Sequence, residues 1–383
     1  MSLTGSLGAA AVDDAHLTAL VAALLGVEPA ATTLHDVRVE EVAYDLPAIT
    51  TAGRHWVRGR ASTATGDRDW SLFVKHVQCW SRHPFFAWVP EEMRERAMAG
   101  VPWRAEPAAY RSGLRSRLPR GLTMLPAVEV VDLDELSAAI WLPEVVVDPS
   151  PWTLDRYQHA AHLVGRMAAS PRVREVASLA GEDTPTVLDY VHGRVAAQVL
   201  PALRDPAVWT HPLVAGAFEP ALRDGLLAAA DRVFDLAAEL AAAPVLAAHG
   251  DTCPGNLLVS PGTDGFVLID FGFFCPQPVG FDLAQLLVGE VQTGASSGED
   301  LAVRDHACTA AYVDGLRAEG DRTPFEVVRR AHALKLLLYA GLSSLPLELL
   351  GEEPTPEHDE VAAGRARIAR HSLHLVEQTE PIT

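Results

Sequence analysis

Two short blocks hold the residues best suited to chemistry: His249-Gly-Asp251-Thr-Cys-Pro-Gly-Asn256, and, a little further on, Phe266-Val-Leu-Ile-Asp270-Phe-Gly272. Between them lies Pro261-Gly-Thr-Asp-Gly265, a turn that joins two short strands as a hairpin and can bring Asn256 and Asp270 to one mouth. A carboxylate and an amide oxygen are hard donors suited to magnesium, which usually takes one or two carboxylates beside substrate phosphates and water. Asp251 stands apart from that pair and can orient an attacking hydroxyl and accept its proton. Transfer of a phosphoryl group to a hydroxyl is the chemistry that needs all three, because its catalysis is mainly positioning and charge neutralisation. Singly, each residue reads more simply as a turn cap, a strand-end cap or a loop acid. Their order and spacing together favour catalysis.

The offset between Asp251 and Asn256 equals that of the Asp and Asn in the kinase catalytic loop H-R-D-x-x-x-x-N. Followed by Ile269-Asp270-Phe271-Gly272, the pattern resembles the aminoglycoside phosphotransferase family of the protein-kinase-like superfamily, which is also similar to choline, fructosamine and sugar kinases. The resemblance implies an α+β, bilobal kinase-like fold with a small antiparallel-sheet N-lobe and a larger helical C-lobe. It implies Asp251 as the catalytic residue, Asn256 and Asp270 as ligands of Mg2+, and ATP or GTP as co-substrate. Asp282, in Gly280-Phe-Asp-Leu-Ala284, matches a further acid that supports the active loops. His249 has no second His-Asp cluster to share a metal with and reads as a loop-organising histidine. The acceptor is a small hydroxylated molecule: an aminoglycoside, a sugar or amino sugar, a choline-like alcohol or a macrolide all fit.

The N-terminal half must supply the nucleotide phosphates with a cation. Kinase-like enzymes place a lysine on the third strand, held by a helix glutamate, and Trp70-Ser-Leu-Phe-Val-Lys75-His-Val supplies it. Only Lys75 and Lys335 among the 31 basic residues are lysine, so an accidental lysine at this place is improbable. Lys335 lies in a helical segment without a motif, and its exchange for Arg is expected to be nearly silent. Glu106 is the expected partner of Lys75. Glu92 and Glu95 are rivals that read as a solvated helix face. The segment from Asp45 to Gly53 contains no G-x-G-x-x-G, which disfavours a protein kinase and leaves the phosphate-covering residues open, with Thr50 and Thr51 as possibilities. By resemblance the purine lies near Trp141, Leu142, Glu144 and Val145. Pro143 has no N–H to offer, and Trp141 reads equally well as a core aromatic. The aromatic residues from Trp80 to Trp88 and from Phe271 to Phe274 frame an acceptor pocket or, more simply, fill a core.

The elements that must position these groups can be read from periodicity and turn signals. A leading helix over 13–25 is followed by strands over 37–44, 55–61 and 70–77, a helix over 103–117 with Pro107 in its first turn, and strands over 127–131 and 136–142. From Leu154 the chain is mainly helical, over 154–169, 186–200, 219–242, 300–317, 325–344 and 359–377, with short strands alternating with loops over 245–290. The expected division is an N-lobe over 1–142, a connection over 143–151 and a C-lobe over 152–383.

Composition narrows the alternatives. At 383 residues, 49% hydrophobic and 21% charged, the chain can bury a large core and exceeds the usual size of a single one. A net charge of −19 disfavours nucleic acid as a partner, since phosphate neutralisation needs clustered Lys and Arg. Cys79, Cys253, Cys275 and Cys308 show no CxxC spacing, which fits a reducing cytoplasm better than a disulfide framework or zinc site. Apolar runs are broken by charges well short of roughly 18 residues, so no membrane span is expected. Two other classes compete. A pseudokinase sensor would lack a chemical residue, and a metal-dependent hydrolase built on His249 and Asp251 would need further ligands.

Overall fold

A computed structural model describes residues 3–43, 48–177 and 184–382. Tyr44, at the expected end of the first strand, and Asp45, Leu46 and Pro47 of the following connection lie outside the described residues. Helix α1 (Asp14–Leu25) starts where Asp13 accepts a hydrogen bond from the His16 amide and stops at Gly26 in the left-handed region. Its buried Leu17, Leu20 and Val21 cover one face of an antiparallel sheet. The sheet contains β1 (Thr33–Glu41), β2 (Thr51–Thr63), β3 (Gly66–Gln78), β5 (Glu129–Asp134) and β6 (Ser137–Pro143), in the order β1-β2-β3-β6-β5.

Strand alternation sorts the side chains of this sheet. Trp70, Leu72, Val74, Ala139 and Trp141 join α1 on one side. Val77, Ala138, Ile140 and Leu142 face the other side, packing with Phe73, Trp103 and Tyr110. Helix α2 (Ala105–Arg111) lies there and carries Pro107 in its first turn as expected. It ends well before Arg117 because Gly113 adopts a left-handed conformation and a short 3₁₀ turn, Leu114–Ser116, follows.

Between α2 and β5 a strand appears that periodicity did not reveal. β4 (Leu122–Met124) leaves the N-terminal sheet and pairs in parallel with β9 (Phe266–Leu268), whose other edge pairs antiparallel with β8 (Leu257–Val259). Three residues are too few to show a period, and the pairing is fixed by long-range register alone. The expected hairpin between Asn256 and Asp270 is therefore present and extended by a third strand. β7 (Val245–Ala248) and β10 (Cys275–Pro278) form a second antiparallel pair beside it.

The C-terminal helices include α3 (Leu154–Ala169), α4 (Val187–Tyr190), α5 (Pro220–Asp231), α6 (Val233–Ala241), α7 (Phe281–Gln292), α8 (Leu301–Ala318), α9 (Phe325–Leu336) and α10 (Pro356–Glu377). α3 and α8 approach closely because Gly165 and Gly315 face the partner backbone; a Cβ on either would lie 2.2 Å or 2.1 Å from a carbonyl oxygen. The long helix expected over 219–242 breaks at Arg232, whose φ and ψ are −108° and 8°. Two other expected helices change pitch part-way: α4 runs into a π-helical segment, Val191–Val199, and α9 into another, Leu337–Gly341. Apolar periodicity cannot distinguish these from α-helix over so few residues. One continuous core of Leu, Val, Ala and aromatic side chains joins these helices to β4, β7, β8 and β9.

Candidate active site

The block from His249 to Asn256 is held by Asp282 at the start of α7. Its two carboxylate oxygens accept from the His249 amide at 2.9 Å and the Gly250 amide at 2.8 Å, and its backbone carbonyl accepts from the Thr252 hydroxyl at 2.6 Å. Gly250 is required here: its φ is 90°, and a Cβ would lie 2.4 Å from the Phe273 carbonyl oxygen. His249 is fully buried, accepts from the Asp251 amide at Nδ1 (3.4 Å) and donates from Nε2 to the Ile269 carbonyl (3.0 Å). That pair of bonds fits the tautomer with its proton on Nε2 and ties the first block to the second. Burial raises the Asp282 carboxyl above the ordinary aspartate range, opposed by His249 and by the two amides.

Asp251 is fixed at both oxygens. Asn256 Nδ2 donates to Oδ2 at 3.0 Å and to the Asp251 carbonyl at 2.9 Å, while Gln285 Nε2 donates to Oδ1 at 3.2 Å. Turning the Asn256 amide nitrogen toward Asp251 leaves its oxygen with no hydrogen bond among the described residues. The Ile269 amide bonds the Asn256 carbonyl at 3.1 Å, so the β8–β9 register carries Asn256 to the edge of Asp270. Asp270 sits in the left-handed region at φ 60°, a conformation a short acid tolerates better than most residues.

Lys75, on β3, stands in register with Arg54 of β2 and Ile140 of β6 and leaves the sheet on the face opposite α1. Its Nζ lies 2.6 Å from Glu106 Oε2 and 2.9 Å from Asp270 Oδ1. The lysine and Glu106 are buried, whereas the Asp270 side chain keeps 34% of its exposure and can reach a ligand. Glu106 occupies the first turn of α2, where a carboxylate complements the helix dipole. Burial drives the Lys75 ammonium down, but Glu106 and Asp270 more than offset it, and the group stays above the ordinary lysine value. Burial pushes Glu106 up to about 7 against the pull of Lys75. Burial also disfavours ionised Asp270, yet Lys75 and then His249 and Arg54 hold its carboxyl below the usual range.

The structure thus brings Lys75, Glu106, Asp251, Asn256, Asp270, His249 and Asp282 into one connected cluster. The rivals Glu92 and Glu95 are exposed. The lobe-connection residues divide. Trp141 is fully buried on the α1 side of the sheet, so its ring belongs to the core and cannot reach the face that carries Lys75; its carbonyl is taken by the Val128 amide at 2.8 Å. Leu142 points to the Lys75 side with Ile140. Glu144 is exposed and pairs with Arg58 at 3.2 Å, and Val145 is half-buried. Phe271 and Phe274 are core residues, whereas Phe273 is exposed beside Gly250. In the other aromatic run, Trp88 is 80% exposed and stacks on Phe85. Burial pushes the Cys253 thiol up to about 12 and Cys275 up to about 11, which removes both as nucleophiles at neutral pH.

Sequence reasoning missed Gln285 and Arg54, and misread Lys335. Gln285 follows Asp282 by one helical position short of a turn, with no motif to single it out. Arg54 became legible only through its register with Lys75. Lys335, whose exchange for Arg is expected from sequence to be silent, is only 4% exposed, with Asp282 and Asp251 acting on its charge.

Residues 114–318 match the model of the phosphotransferase enzyme family. Among solved structures, an aminoglycoside phosphotransferase from Alicyclobacillus acidocaldarius superposes with a TM-score of 0.50 at 14% identity, over 89% of this chain and 92% of that one. The amicoumacin kinase hAmiN gives 0.48 at 12% identity over 90% and 89%, and an ethanolamine kinase from Plasmodium vivax gives 0.45 at 12% identity over 87% and 82%. No curated protein matches the chain. The family match spans more than half of the sequence and contains Asp251, Asn256, Asp270 and Asp282, and the kinase-like fold agrees with it: this chain belongs to the phosphotransferase enzyme family, whose members phosphorylate hydroxyl groups.

Proposed function

We propose that the protein transfers the γ-phosphoryl group of ATP or GTP to a hydroxyl of a small molecule, with Asp251 as the base, Lys75 and Glu106 positioning the phosphates, and Asn256 and Asp270 as the metal pair. The observation that carries this reading is the bridge from Lys75 to both Glu106 and Asp270, beside an Asn256 whose amide nitrogen is spent on Asp251. The donor set fits magnesium: one carboxylate with remaining exposure and one unused amide oxygen are hard ligands, and no cage of three or more His, Cys, Asp or Glu stands among the described residues. Bound there, magnesium would neutralise charge on the nucleotide phosphates.

The chain's own groups account for the remainder. Lys75 presents a compact cation kept protonated by two carboxylates, and Glu106 prevents it from swinging away. Asn256 and Gln285 hold the Asp251 carboxylate in one orientation, so that an acceptor hydroxyl meets a fixed oxygen acceptor instead of a rotating one. The purine lies along Leu142, Glu144 and Val145 in this reading, without Trp141, whose ring is in the core and whose carbonyl is taken by Val128. The division of the chain at 143–151 and a cytoplasmic setting for its four free cysteines belong to the same reading.

The test is turnover with ATP or GTP and magnesium against a panel of hydroxylated acceptors, with mass spectrometry of the product. Asp251→Asn should keep nucleotide binding and lose about 10²–10⁴-fold in transfer, because the amide preserves shape without basicity. Unchanged turnover in that variant would remove Asp251 from the chemistry.

A further inference from the structure

Lys335 is the second of only two lysines, and the reaction described above does not use it. It is 4% exposed, on the last turn of α9, yet it makes no hydrogen bond or ion pair with any described residue. Its Nζ lies 3.2 Å from the centroid of the Tyr339 ring and 4.0 Å from that of Phe281, the residue beside Asp282. Ring faces attract a cation but cannot satisfy three N–H donors. A buried ammonium without oxygen partners is unfavourable, so a group outside the described residues is needed to complete it.

The surroundings indicate which side of the site this is. Tyr339 stacks on Tyr190, with centroids 3.8 Å apart and planes 5° from parallel, and both rings are half-buried. Each tyrosine stands at a π-helical segment: Tyr190 directly before Val191–Val199, and Tyr339 within Leu337–Gly341. Such segments are frequent at functional sites because they turn side chains out of the regular helical stripe. The wall lies in the helical part of the chain, away from Lys75 and the N-terminal sheet. Burial lowers the Lys335 ammonium well below the usual lysine value, and Asp282 and then Asp251 act against this, so the amine shares its electrostatic environment with the catalytic loop. Both oxygens of Asp282 are engaged by backbone amides and both of Asp251 by Asn256 and Gln285, and Lys335 donates to neither carboxylate.

We propose that Lys335, with the rings of Tyr190, Phe281 and Tyr339, forms the acceptor subsite, and that it selects a neutral or anionic hydroxyl compound, such as a sugar or sugar acid, over a polycation. The proposal rests on the phosphoryl-transfer reading and deepens it by naming the acceptor class. An oxygen of the acceptor takes the Lys335 donors, and the aromatic faces cover its apolar side. An acceptor oxygen or anion restores the protonated form that burial disfavours, whereas a second ammonium within about 5 Å, at an effective dielectric near 20, would oppose that form by on the order of a hundred-fold.

The scarcity of lysine supplies the experiment. Protein labelled with ¹³C at the lysine ε carbon gives two lysine signals, assigned by Lys75→Arg and Lys335→Met. Magnesium with a non-hydrolysable ATP analogue is added first, then glucose, glucuronate or kanamycin as neutral, anionic and polycationic probes. The Lys75 signal should respond to the nucleotide. The Lys335 signal should respond to glucuronate or glucose and far less to kanamycin, and titration calorimetry should show glucuronate binding at least ten-fold more weakly to Lys335→Met, while the nucleotide response of Lys75 in that variant is unchanged. A Lys335 signal that follows kanamycin as well as or better than the sugars overturns the proposal, as does one that none of the three probes moves at tens of millimolar. The wild-type arm needs no variant to fold. Silence of Lys75 toward nucleotide would instead count against the phosphoryl-transfer reading itself.

Discussion

The two lysines sit in opposite environments. Lys75 is buried between two carboxylates at 2.6 Å and 2.9 Å, whereas Lys335 is buried against two aromatic rings with no hydrogen-bonding partner among the described residues. Burial disfavours the charged form of both. It is overcome at Lys75, whose ammonium is held above the ordinary value, and it prevails at Lys335. Carboxylates in contact can offset desolvation; more distant ones and ring faces offset only part of it. The Lys75 side, proposed to bind nucleotide, is therefore organised before any ligand arrives, and the proposed acceptor side contains a polar group that a ligand can complete.

The sharpest way to break this contrast is at the residue that joins Lys75 to the proposed metal pair. Asp270→Ala should abolish most of the magnesium enhancement of nucleotide binding, since it removes the exposed carboxylate of the cluster. Nucleotide titrations with and without magnesium measure this, and an enhancement equal to wild type would refute the assignment.

Arginine at each lysine then compares the two environments at constant formal charge. Lys75→Arg should reduce turnover by at least ten-fold, because a planar guanidinium cannot occupy a compact position between Glu106 and Asp270 without displacing them. Sequence alone suggests that Lys335→Arg is silent. Packed against Phe281 and Tyr339, the larger group should instead cost about 1–3 kcal/mol by overpacking. Steady-state kinetics read the first effect and denaturant midpoints the second. Equal behaviour of the two variants in both measurements would mean that the environments do not differ in the way described.

A third buried charge shows which pH behaviour belongs to packing and not to the site. Asp305 on α8 accepts from His332 on α9 and His371 on α10, each at 2.9 Å. Burial disfavours its charge, but the two histidines hold the carboxyl well below the usual range. A depressed carboxylate contributes stability that is present above its unfolded pKa and lost as pH falls through the folded one, so the loss begins below about pH 4. Asp305→Ala should cost about 1–3 kcal/mol at neutral pH by orphaning the His332 donor, and should flatten the acid limb of a stability–pH curve. An acid limb as steep as wild type would place its origin elsewhere.

The smallest effect is expected at Trp141. Trp141→Phe should change stability by no more than about 1.5 kcal/mol, since the fully buried indole N–H has no partner to lose. It should leave nucleotide affinity unchanged, because the ring lies on the α1 side of the sheet. A shift in the ATP-to-GTP preference would return this side chain to the cleft.

Much of the fold was legible. The leading helix, the core of the antiparallel sheet and the hairpin between Asn256 and Asp270 follow from periods of 3.6 and 2 and from turn residues that fix local geometry. The relation of Asp251 to Asn256 was equally local, because both lie on one loop and their offset largely determines their separation. Glu106 was chosen over Glu92 and Glu95 by resemblance, and the structure sets it against Lys75. What remained hidden depends on contacts between distant segments. β4 is too short to have a period and exists because β9 offers it an edge. The two π segments look like ordinary helix in sequence, since a change of pitch alters hydrogen-bond partners and not residue type. The Lys335 segment gives no sign that Phe281 and Tyr339 converge on its amine, or that Tyr190 stacks on Tyr339. Sequence by itself determined which residues could do chemistry, because local spacing fixes local geometry. Tertiary structure alone decided which face of the sheet Trp141 occupies and how each lysine is surrounded, because strand register and helix packing set both the partners of a buried charge and the dielectric around it.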